Sequence, residues 1–153
     1  MSNTIVVYYS FSGNTRLIAE KITKSLNSEK FELIPDKKID LDLLRDKEFF
    51  NSEAKCSKIN DISKYKNIII GSPVWARTIS PPVKWFIEKI KDDYKGKVSF
   101  FCCHSGVIGD SFEFIEEKFT DRFLTKKGFY NPLTNLSSCF EEVDKWVNEF
   151  KTK

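Results

Sequence analysis

TIVVYYSFSGNTRLIAEKITKSL, residues 4–26, changes character twice within one short stretch. Thr4 to Tyr9 is a continuous apolar run rich in β-branched and aromatic residues, the pattern of a parallel strand covered on both faces. Leu17, Ile18, Ile22 and Leu26 then recur at helical spacing and predict a helix of about 14 residues with one apolar stripe. Between them stand Ser10, Phe11, Ser12, Gly13, Asn14 and Thr15. Hydroxyls, backbone N–H groups and a helix start converge at such a turn, which makes it a candidate phosphate site. A helix cap alone would use the same residues, so the rest of the chain has to decide.

The strand–turn–helix pattern repeats downstream. A short second strand, Phe31 to Ile34, is stopped by Pro35. Ile68 to Ile70 reads as a buried third strand ending in Gly71-Ser72-Pro73, followed by Ser80 as N-cap and Pro81 at the first helical position. Val83, Ile87, Ile90 and Tyr94 then lie down one side. Lys97 to Cys103 is the fourth strand, and after "HSGVIGDS" Phe112, Ile115, Phe119 and Phe123 line up on a helix. Phe129 to Leu136 carries a fifth strand, at an edge because of Pro132. Ser138 and Glu141 form a capping-box pattern ahead of Phe140, Val143, Val147 and Phe150. Asp40 to Lys66 is the weak link, with a helix expected over Leu41 to Phe50 and then no clear period. Sustained β–α alternation predicts an α/β fold with a doubly wound, five-stranded parallel sheet, in one domain over residues 1–153. Ligands of such sheets sit at the carboxyl ends of the strands. That edge carries "SFSGNT", "GSPVWARTISPP" and "CHSGVIGD".

Composition narrows the function. The chain has 25 basic and 22 acidic residues, a net charge of +3, without the clustering of a nucleic-acid surface. No segment approaches the roughly 20 apolar residues of a membrane helix, and "MSNTIVVYYS" lacks the features of a signal peptide, so a cytoplasmic protein that binds neither nucleic acid nor membrane is expected. Cys56, Cys102, Cys103 and Cys139 contain no C-x-x-C, and His104 is the only histidine, so no metal site is expected. Cys102 and Cys103 are neighbours on a strand and point to opposite faces, which argues against a redox pair.

The three loops, in that order and on that alternation, resemble the flavodoxin-like family of FMN-binding proteins over essentially the whole chain. "SFSGNT" resembles the family's phosphate loop; "YKNIIIGSPVWARTISPPVKWFIEKI" is similar to short clostridial-type members, whose P-V-W segment runs along the isoalloxazine; "GKVSFFCCHSG" resembles their last flavin loop. The resemblance implies strand order 2-1-3-4-5 and FMN as cofactor. It assigns FMN contacts to Ser10, Phe11, Ser12, Gly13, Asn14 and Thr15, to Pro73, Val74, Trp75, Ala76 and Arg77, and to Cys103, His104, Ser105 and Gly106.

Within that frame Ser12 and Thr15 hold the phosphate, and Trp75 either stacks on the flavin or belongs to the core. His104 either meets the pyrimidine edge or is a plain loop residue. Arg16 reads as a solvated side chain, and Trp85 and Trp146 as packing residues. Arg77 and "SGVIG" depart from the family pattern, as does an isoelectric point of about 8.6 where soluble carriers tend to be acidic. The flavin performs the chemistry, so no catalytic side chain is required. Low-potential electron transfer to redox partner proteins is the leading reading, with the chain a monomer or weak homodimer. An NAD(P)H-dependent flavin or quinone reductase on the same fold is the alternative, although no G-x-G-x-x-G is present. A flavin-free receiver-type signalling domain is a third, but it requires aspartates where this chain has Tyr9, Ser10 and Phe11.

Overall fold

The computed structural model describes residues 3–153. Its elements run β1 (Thr4–Tyr8), α1 (Asn14–Leu26), β2 (Glu29–Glu32), β3 (Asn67–Trp75), β4 (Thr78–Ile79), α2 (Pro81–Ile90), β5 (Lys97–His104), α3 (Ser111–Phe119), β6 (Phe123–Tyr130) and α4 (Leu136–Lys151). The main sheet has the order β2-β1-β3-β5-β6, all pairs parallel, with β4 attached to β3 alone as a short antiparallel strand. Setting β4 aside, this is the expected 2-1-3-4-5 winding.

Alternation along the buried strands fills two cores. Ile5, Val7, Ile68, Ile70, Val98 and Phe100 face α2 and α3, where Val83, Phe86, Ile87, Ile115 and Phe119 meet them. Val6, Tyr8, Ile69, Phe101 and Phe129 face α1 and α4, against Ile18, Ile22, Val143, Trp146 and Val147. Cys102 joins the first core and Cys103 the second, as strand alternation requires. All four cysteines are free and buried. Trp146 packs as expected and donates its indole N–H to Thr125 Oγ1 (3.1 Å), while Trp85 packs half-buried against the α2/α3 core.

Several boundaries differ from the sequence reading. The third strand does not stop at Ile70. It continues through Gly71, Ser72, Pro73 and Val74 to Trp75 and turns back through Ala76 and Arg77 into β4. Ser80 does not cap α2 with its own hydroxyl; Ser72 Oγ accepts the Ser80 N–H (3.1 Å) and lies 2.9 Å from Ser80 Oγ. Helix α2 ends at Ile90, and Tyr94 is buried beyond it, donating its hydroxyl to Tyr65 O (3.0 Å).

Helix α3 ends at Phe119, where Thr120 takes a φ of 44°, so Phe123 opens β6 instead of extending the helical stripe. The last strand therefore spans Phe123–Tyr130 rather than Phe129 to Leu136, and Pro132 begins a 3-10 turn. Helix α4 starts at Leu136 after Asn135; the Ser138 hydroxyl donates to Asn135 O (3.2 Å), so no capping box forms. Leu41 to Phe50 holds two 3-10 turns, Leu43–Arg45 and Phe49–Asn51, in place of a helix. Asp40 Oδ1 and Asp46 Oδ1 accept the amides of Leu43 (2.9 Å) and Glu48 (3.0 Å), local bonds that compete with a continuous helical ladder.

Candidate functional site

Four loops meet at the carboxyl edge of the sheet: residues 9–13 after β1, the β3–β4 turn at Ala76-Arg77, residues 105–110 after β5, and residues 131–135 after β6. They are tied to one another. Tyr9 and Phe11 both stand edge-on to Trp75, with ring centroids 5.6 Å apart in each case. Asp110 N–H donates to Arg77 O (2.9 Å), an approach open only because Gly109 lacks a Cβ, which would lie 1.9 Å from that carbonyl oxygen. Ser105 donates to Asn131 Oδ1 (2.9 Å), and Asn131 N–H donates to His104 O (2.9 Å). Asn14 Oδ1 accepts the Leu133 N–H (2.8 Å), which closes the ring of loops.

The first loop has the donors that an oxyanion needs. Gly13 sits at a φ of 104°, the left-handed region a side chain resists, and turns the chain directly into α1. The first bond of the helical ladder runs from Leu17 N–H to Gly13 O (3.0 Å), and Arg16 N–H is taken by Ser10 Oγ (3.1 Å). The amides of Gly13, Asn14 and Thr15 have no protein partner among the described residues. Ser10 Oγ and Ser12 Oγ each accept a bond, from Arg16 N–H and from Asn14 Nδ2 (3.2 Å), and keep their protons to donate. Each charge-assisted bond contributes roughly 1.5–3 kcal/mol, and the helix N-terminus adds about half a positive charge. These donors fit a phosphate without a lysine.

Arg16 is not a free cation here. Its guanidinium forks onto Glu32 of β2, Nε to Oε1 at 2.8 Å and Nη2 to Oε2 at 2.9 Å. Burial and the neighbouring Glu32 push the Tyr8 hydroxyl up to about 12 beside this pair. Thr15 is almost fully buried, and its hydroxyl contacts the Cys103 thiol; desolvation nevertheless holds that thiol far above its ordinary value.

A groove of about 290 Å³ opens between the β3–β4 turn and the loop after β5, lined by Val74, Ala76, Arg77, Ser105 and Val107. Gly106, at a φ of 120°, has open space where a Cβ would project. Pro73 pairs with Cys103 across the sheet at the groove's base. Trp75 is half-buried among Tyr9, Phe11, Phe49 and Phe50, whereas Phe11 is 43% exposed, so Phe11 is the more open ring of this cluster. Arg77 is exposed and its side chain makes no ion pair among the described residues.

His104 lies against β6. Its ring covers Gly128, where a Cβ would lie 3.3 Å from Cδ2 and Nε2, and stands edge-on to Tyr130. Nδ1 accepts the Gly106 N–H at 3.0 Å, and burial lowers the imidazole's proton affinity. The fourth loop, with Asn131 and Leu133, is the part of the site that the sequence reading missed. Asn131 is the one usable signal, an asparagine at a φ of 40° immediately before a proline. Among the described residues no three of His, Cys, Asp or Glu gather closely enough to hold a metal ion, and no helix is long and apolar enough to cross a membrane.

The winding and the phosphate-type turn are those of a flavodoxin-like flavoprotein fold. A flavodoxin-domain family model matches residues 5–130, and the chain belongs to that family. Among solved structures, a protein of Bacteroides eggerthii superposes with a TM-score of 0.80 at 19% identity, covering 100% of both chains. A flavoprotein of Lactobacillus acidophilus, solved in complex with FMN, is 28% identical with a TM-score of 0.64 over 95% of this chain and 99% of its own. The two-electron reduced flavodoxin of Megasphaera elsdenii gives 0.57 at 17% identity over 83% of this chain and 84% of its own. No curated protein matches the chain.

Proposed function

We propose that this chain binds FMN and acts in low-potential electron transfer between redox partner proteins, as a monomer or weak homodimer. The observation that carries the proposal is the turn at residues 10–15, where orphan amides and two hydroxyl protons meet at the N-terminus of a 13-residue helix. The 28%-identical Lactobacillus acidophilus flavoprotein, solved with FMN, supports the choice of cofactor.

When bound, FMN supplies the one- and two-electron chemistry. The protein binds and orients. Ser10, Ser12 and the amides of Gly13, Asn14 and Thr15 would hold the phosphate; Val74, Ala76, Ser105 and Val107 would line the ring, with Arg77 at the mouth and Phe11 beside it. Titration of the apoprotein with FMN and riboflavin is the test, with FMN expected to bind on the order of 100-fold more tightly because only it engages the phosphate donors. Equal affinities would overturn the phosphate assignment. Rapid oxidation of NADPH by the FMN-loaded protein alone would replace the carrier reading with a reductase.

A further inference from the structure

Lys84 breaks three local rules at once. It is only 8% exposed, and it is the fourth residue of α2, at the end of the helix dipole that repels a cation. Its ammonium has three protons but one hydrogen bond among the described residues, to Phe50 O at 3.1 Å. The face of Phe114, 5.3 Å from Nζ, and the charge of Asp110 stabilise it in part. Desolvation outweighs that charge and lowers the pKa of the amine. A methionine would fill the same space without taking a charge out of water. What lysine adds is a donor to the Phe50 carbonyl, and local departures of this kind are expected where function requires them.

That carbonyl belongs to the segment joining β2 to β3, which is tied to α2 at two points. Lys84 Nζ holds Phe50 O, and Ala54 N–H donates to Pro81 O at 3.1 Å. So tied, the segment sets Phe49 and Phe50 against Trp75, with ring centroids 6.5 and 6.3 Å away. Trp75 is the last residue of β3 and pairs with Thr78 across the Ala76-Arg77 turn. A path of direct contacts therefore runs from the ammonium through Phe50 and Trp75 into the hairpin that lines the groove. The Asp110 N–H fixes the turn of the same hairpin through Arg77 O, and Asp110 is also the carboxylate whose charge Lys84 feels.

We propose that Lys84 is a positioning residue: by holding residues 49–54 on α2 it seats Trp75 and sets the hairpin wall against which the flavin ring binds. The inference rests on the FMN reading and deepens it. Lys84 acts through Phe50 and Trp75, so its loss weakens binding of the ring and leaves the phosphate turn unchanged.

Fluorescence titration of the full-length apoprotein with FMN and riboflavin tests this in the wild type, Lys84→Met, Lys84→Arg and Phe50→Ala, together with the indole N–H resonances of each apoprotein. Lys84→Met is expected to weaken both flavins by about fivefold to tenfold, with their ratio unchanged. The Trp75 indole resonance moves in this variant, while that of Trp146, in the other core, stays in place. Lys84→Arg keeps a donor for Phe50 O and restores most of the affinity. Phe50→Ala keeps the carbonyl but removes the ring, so it weakens both flavins in the same way and carries the test if Lys84→Met does not fold. A lower urea midpoint with unchanged flavin affinities would make Lys84 a stabilising residue only and overturn the proposal. A changed FMN-to-riboflavin ratio, or a Trp75 resonance that does not move in Lys84→Met, overturns it too and leaves the FMN reading standing. A wild type that binds neither flavin overturns both.

Discussion

His104 is the only histidine in the chain, and its imidazole serves as an acceptor. With Nδ1 taking the Gly106 N–H, the neutral ring fixes the first residues of the loop that lines the groove, and protonation would turn that acceptor into a donor aimed at another donor. Desolvation lowers the pKa and the charge of Glu142 raises it less. A histidine whose folded pKa lies below its ordinary value contributes stability that is complete above about pH 6.5 and is lost as pH falls through the window beneath it. A single imidazole resonance in a proton NMR titration is therefore expected to report a pKa below 6.5, with the Gly106 amide shifting at the same midpoint. A midpoint at or above 6.5 would show that the ring is hydrated and that the loop does not depend on it.

At the scale of the element, the β3–β4 hairpin carries the site's backbone strain. Ala76 and Arg77 take φ values of 49° and 66° in a two-residue turn, a geometry that favours glycine or asparagine. Packing of Gly109 against the Arg77 carbonyl holds it there. Ala76→Gly is expected to stabilise the protein by about 0.5–1 kcal/mol, the left-handed penalty less the added freedom of glycine when unfolded. A higher urea midpoint at constant slope would show this; a lower one would mean that the Ala76 methyl contributes more to the groove wall than the strain costs. This hairpin also marks where sequence reasoning stops. Ile68–Ile70 was legible because a doubly covered strand must be apolar throughout, but Ala-Arg gives no turn signal, so Pro73, Val74 and Trp75 read as loop. Phe123 fits a helical stripe and a strand equally well, and only the Thr120 backbone decides between them. The loops after β1 and β5 were visible in their small polar residues. The contact of Asn14 with Leu133, 119 positions away, is a product of the winding and leaves no local trace.

Across the whole molecule the sheet separates two cores, and each holds two of the four thiols: Cys56 and Cys102 toward α2 and α3, Cys103 and Cys139 toward α1 and α4. Burial pushes Cys56 and Cys102 up to about 12 and raises the other two as well. Native protein at pH 8 is expected to leave an aromatic disulfide reagent unreacted, and unfolding in urea to release all four thiols in one phase. Release in two pairs would show that the two faces of the sheet open separately. The placement of these sulfur atoms would matter in a chain that carries reducing equivalents, the role proposed above. FMN, if bound, would supply a reductant that oxygen can reoxidise to give peroxide, and peroxide attacks sulfur as thiolate. Cys103 contacts Thr15 of the turn assigned to the phosphate, yet burial keeps it protonated. The packing that builds the second core would thereby also shield the chain from a by-product of the proposed chemistry.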